Sequence, residues 1–192
     1  IFGTIGVGSV SETEKLRITS QGTIGISGVG SGSLAGSIII NNDGETGTID
    51  NAYYNTVLGW EAADDLTSGD SNTIVGNQAG YKLTSGSSNT LIGRLAGENL
   101  TTGSYNVAIG YDALGDGTVT ANFNIAIGYE TLQAVTSGGE NICLGIDAGH
   151  DISSGSQNVA VGHESLTKLS SGSASTAVGF QALEKATGDN NT

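Results

Sequence analysis

The chain of 192 residues contains no proline, no methionine, a single cysteine and only six lysines or arginines. Each scarcity excludes something. A collagen-like strand needs glycine at every third position and abundant proline, and neither occurs. A lone Cys143 forms no internal disulfide, so the redox compartment stays open. The basic residues Lys15, Arg17, Lys82, Arg94, Lys168 and Lys185 are scattered, and against 19 acidic residues they leave a net charge of −13. That balance excludes a nucleic-acid partner, because phosphate binding needs clustered Lys and Arg. No apolar run approaches the roughly 20 residues of a membrane-spanning helix, so no membrane insertion is expected. Charged residues are 13% and apolar residues 36% of the chain, too few for a helical domain with a charged surface. Disorder is not implied either, since it comes with high charge density and proline.

What is present is small and turn-forming. The 32 Gly, 22 Ser, 21 Thr and 15 Asn together make 90 of 192 positions. Their excess is periodic. From Asn55 the chain reads NTVLGWEAADDLTSGDS, then NTIVGNQAGYKLTSGSS from Asn72 and NTLIGRLAGENLTTGSY from Asn89. Further copies begin at Asn106, Asn124, Asn141, Asn158 and Ser175, and another starts at Asn191-Thr192. The spacing is 17 residues, except for one copy of 18 from Asn106 and one of 16 from Ser175. The array running to the last residue, and the missing methionine, lead us to expect a piece of a longer product.

Each column of this repeat states a physical requirement. Column 5 is Gly in all eight copies, as expected where φ is positive or another backbone passes close. Column 1 is Asn in seven of eight, which suits a corner and predicts a ladder of stacked Asn side chains. The Thr-Ser-Gly of columns 13 to 15 is a second turn signal. Columns 3 and 4 are both apolar in every copy, as in Val57-Leu58 and Ala108-Ile109. Adjacent residues of a strand point to opposite faces, so both faces need cover. One is the interior of the coil, and we expect another copy of the chain on the other. The small column 8 and the apolar column 12 lie at offsets that fit a short helical turn or a second strand. Seventeen residues make one rung of a solenoid, not a domain. The expected fold is therefore all-β, a parallel β-solenoid of about eight 17-residue rungs over 55–192, possessing either short helical turns or a second strand per rung. Residues 1–54 form a separate β-rich region with a Gly-rich linker from Gly28 to Gly36. Within it, Lys15 to Ser20 and Ser37 to Ile40 read as strands, and Asn41 to Gly44 as a turn before Thr46 to Ile49.

The block N-x-[AV]-[IVL]-G-x-x-[AST], carried by residues 55–192, resembles the head repeats of trimeric autotransporter adhesins. Its longer form, with a Thr-rich turn, is similar to repeats in bacteriophage tail fibres, and EKLRITSQGTIGIS from Glu14 to Ser27 resembles a segment common in phage tail fibres. The resemblance implies a homotrimeric fibre of a virion, with no catalytic step and no cofactor. Its partners would be its own copies, other fibre or tail proteins, and a host cell-surface glycan or protein. A bacterial trimeric surface adhesin head is the alternative. An ice-binding solenoid is a third, suggested by Thr56, Thr73 and Thr90, but Val107, Ile125 and Ile142 break that ladder.

Catalytic motifs fail. His163-Glu164 starts a zinc-protease H-E-x-x-H pattern, but Thr167 occupies the second His position. Ser165 to Lys168 matches S-x-x-K without its companion elements. His150 and His163, with one Cys, have no zinc-site spacing, so no metal site is expected. Column 6 is the one candidate surface-binding strip: Trp60, Arg94, Tyr111, Tyr129, His163 and Phe180, interrupted by Asn77 and Ile146. It reads either as a glycan- or surface-contact strip or as aromatic packing between chains.

Overall fold

The computed structural model describes residues 52–192 and the backbone of three short strands upstream of them. Those three are β1 (Arg17–Ile18), β2 (Ile24–Gly25) and β3 (Ile38–Ile40). β1 and β2 pair antiparallel. The remaining strands are one per rung: β4 (Thr56–Leu58), β5 (Thr73–Val75), β6 (Thr90–Ile92), β7 (Val107–Ile109), β8 (Ile125–Ile127), β9 (Ile142–Leu144), β10 (Val159–Val161) and β11 (Thr176–Val178). β3 to β11 form one parallel sheet in chain order. Columns 2, 3 and 4 pair with the same columns of the next rung, for example Leu91 with Ala108. The chain is a parallel β-solenoid with a 17-residue period. The sheet also extends one strand upstream of the first repeat copy, because Ile38–Ile40 pairs in parallel with Thr56–Leu58. The proposed turn at Asn41 to Gly44 and the strand at Thr46 to Ile49 lie outside the described residues.

Neither a helical turn nor a second continuous strand fills the rest of the rung. Two consecutive tight turns do. In the first rung the amide of Ala62 donates to the carbonyl of Gly59, and that of Leu66 to the carbonyl of Ala63. Two reversals in eight residues bring columns 8 and 12 inward together, which explains their helix-like spacing. The turns require positive φ at columns 7 and 9, and every rung obeys. Column 7 runs from Glu61 (φ 49°) to Gln181 (φ 53°), and column 9 from Ala63 (φ 52°) to Leu183 (φ 50°). Column 17 is also left-handed, at φ 57–60° from Ser71 to Asn190. Neighbouring rungs hold these residues in place through backbone bonds such as Ala63 to Ala79 and Gln78 to Trp60.

The core is a narrow column of small and branched side chains. Column 3 is buried throughout, from Val57 through Ala108 to Ala177, and packs against Ala62, Ala79 and Ala96 of column 8 and Leu66, Leu83 and Leu100 of column 12. The expected Asn ladder closes one corner. Asn55, Asn72, Asn89, Asn106, Asn124, Asn141 and Asn158 are all buried. Asn124 shows the pattern: its Nδ2 donates to the carbonyl of Gly138 (3.0 Å) and to Oδ1 of Asn106 (3.3 Å), while its own Oδ1 accepts from the amide of Asn141 (3.0 Å). Ser175 ends the run, taking the Asn158 Oδ1 with its amide. At column 5 the rungs touch: a Cβ on Gly110 would lie 2.2 Å from the carbonyl oxygen of Gly128, at φ +136°. The 18-residue rung absorbs its extra residue at Asp116 to Thr118, where Asp116 and Thr118 are exposed while Val119 returns to the core.

Candidate functional site

The outer face of the sheet follows from alternation. With columns 1 and 3 turned inward, columns 17, 2, 4 and 6 turn outward, and four columns of eight rungs make one continuous face. All the exposed large apolar side chains among the described residues lie on it. Tyr54, Tyr105 and Phe123 are in column 17, Ile142 in column 2, Leu58, Ile92, Ile127 and Val178 in column 4, and Trp60, Tyr129, Ile146 and Phe180 in column 6. Of the charged residues in the described array only Arg94 and Glu140 join this face. The remainder sit on columns 7, 10, 11 and the turn that follows.

The column 6 strip is only partly continuous. Arg94 lies over Tyr111 at 5.3 Å, and Tyr111 stacks on Tyr129 with ring centroids 5.1 Å apart. His163 meets Phe180 at 5.5 Å. Asn77 separates Trp60 from the first group and Ile146 separates the two groups. Column 17 was missed in reading the sequence. Tyr105 and Phe123 stack there at 4.9 Å with rings 3° from parallel, forming a second aromatic ridge on the far side of the strand. Only the parity that column 17 shares with columns 2 and 4 across the Asn corner could have shown it.

The flank beside column 6 is acidic. Glu61, Asp112, Glu130, Asp147 and Glu164 occupy column 7, and Gln side chains one rung on bond to several of them: Gln78 to Glu61 (2.7 Å), Gln133 to Asp112 (2.5 Å) and Gln181 to Glu164 (2.6 Å). Burial pushes the Asp112 carboxyl above the usual carboxylate range, against the opposing Gln133 bond. Asp151 is held below its usual range by hydrogen bonds from His150 and Lys168, despite its partial burial. Spacing suggested no metal site, but the fold brings the histidines of two adjacent rungs to one shared carboxylate, Asp147. Glu130, Asp147 and His150 offer ligand atoms within 4.8 Å of one another, as do Asp147, His163 and Glu164. Cys143 stays in the core, its thiol pushed up to about 12 by burial, and takes no part.

No family model, curated protein or solved structure matches this chain. The surface itself therefore carries the functional argument.

Proposed function

We propose that this chain is a structural and adhesive segment of a homotrimeric fibre, in the manner of a phage tail fibre or similar virion appendage, extending the fibre and contacting the host surface. The observation that carries it is the apolar outer face of the sheet. Monomeric proteins rarely leave so large a contiguous apolar patch open to water. Eight rungs at about 4.8 Å make the face roughly 38 Å long, and the run from column 17 to column 6, at about 3.3 Å per residue, makes it about 20 Å wide. That is close to the ~800 Å² per partner of a standard protein interface. Copies turned about an axis along the coil keep all rungs level, so the column 17 ridge of one meets the column 6 ridge of the next. Three copies is the number implied by the resemblance of the repeat to trimeric adhesin heads, and the phrase EKLRITSQGTIGIS supports the virion reading. In this arrangement the aromatic strip serves packing between chains, and host contact falls to the polar flanks or to other fibre parts.

Mass photometry of the chain tests this directly, with an expected mass of three copies. Substituting Ile109→Glu and Ile127→Glu together is expected to give a monomer with an unchanged circular dichroism spectrum. A compact, freely soluble monomer in the parent chain would overturn the assembly.

A further inference from the structure

We propose that Glu130, Asp147 and His150 hold a divalent transition-metal ion of the zinc class on the flank of the coil. Column 7 carries carboxylates in four consecutive rungs, at Asp112, Glu130, Asp147 and Glu164. Like charges stacked at a rung spacing of about 4.8 Å repel one another. The outer members of the run are relieved by Gln133 and Gln181. Glu130 and Asp147, in the middle, receive neither: among the described residues the ion pairs reach Asp65, Asp151 and Glu164 but not these two. Lys168 lines the same shallow depression, yet its ammonium is 3.0 Å from Asp151.

The turn after column 9 delivers an imidazole to this gap. His150, Glu130 and Asp147 are each half-buried, and their ligand atoms lie within 4.8 Å of one another, so small side-chain rotations bring them onto one ion. An outer partner already orients the imidazole. Asp151 engages Nδ1 of His150 at 2.7 Å, leaving Nε2 as the free ring nitrogen. Such carboxylate–histidine contacts fix ligand orientation around bound metals. One nitrogen and two carboxylate oxygens suit zinc, whereas calcium and magnesium prefer oxygen alone. The neighbouring set shares Asp147, but His163 is exposed and packed on Phe180, and Glu164 is taken by Gln181. The ion therefore belongs to the first set.

The test uses the untagged chain stripped with a chelator. Zinc is titrated by calorimetry against a background of excess magnesium, and cobalt by visible absorption. One ion per chain is expected, with the His150→Ala and Glu130→Gln variants weakening binding tenfold or more and His163→Ala binding as the parent does. In the unaltered chain, zinc is expected to shift the imidazole proton signals of His150. Smaller losses in the His150→Ala variant, unmoved His150 signals, or full displacement of zinc by magnesium would each overturn the site.

Discussion

Gly110 and Cys143 show how much a single position is constrained by the rung above it. A Cβ at Gly110 would meet backbone, not a movable side chain, so Gly110→Ala is expected to cost at least about 3 kcal/mol, combining a left-handed backbone with a clash. Gly188, at φ +81° with open space around it, isolates the first of these effects. Gly188→Ala is expected to cost only about 1 kcal/mol, and equal losses by chemical denaturation would refute the steric reading. Cys143 is inert for a different reason. Its thiol is pushed up to about 12, so the unfolded chain ionises it first as pH rises. Its share of stability is intact below about pH 8.5 and is lost between there and the folded value. A thiol reagent at pH 8 is expected to modify the folded chain not at all and the unfolded chain once. The invariant glycine and the buried cysteine were both legible in the columns, because column 5 leaves no room for a Cβ and column 3 takes only apolar side chains into the core.

A rung is held by its Asn corner and by its left-handed turns. Asn124→Ala would strand the Gly138 carbonyl and the Asn141 amide in a buried corner, at an expected cost of about 2–4 kcal/mol by thermal or urea unfolding. Ser retains an oxygen acceptor, as Ser175 does for the amide of Asn191, so Asn124→Ser is expected to cost less. The left-handed residues act in the other direction. Ser88 adopts φ 60° without glycine's freedom, so Ser88→Gly is expected to change stability little or to raise it by up to about 1 kcal/mol. Ser88→Val is expected to lower it by more than that. The Asn corner was readable in advance, whereas columns 7 and 17 were not. Glu, Gln, Leu and Tyr at those positions carry no left-handed signal, and the bonds to neighbouring rungs hold them there.

At the scale of the whole molecule, charge and apolar surface are sorted to different sides. A trimer would carry 3 × −13 = −39 formal charges, and in the described array every charged residue but Arg94 and Glu140 lies on the flanks. Salt screens repulsion between such flanks and leaves apolar burial intact. Raising ionic strength from about 0.05 to 0.5 M is therefore expected to strengthen assembly, measured by sedimentation, and weakening would point to an interface held by ion pairs. Adhesion to anionic cell surfaces is likewise expected to depend on divalent cations. By itself the sequence determined the period, the inward columns and the Asn corner, because each is a property repeated every 17 residues, and the acidic balance, because net charge needs only a count. The tertiary structure alone decided the two tight turns, the joining of column 17 to the apolar face, and the meeting of His150 with Glu130 and Asp147. Those arise from contacts between rungs, where residues far apart in the chain are placed one rung spacing apart, and periodicity along the chain does not encode which side chains then share a surface.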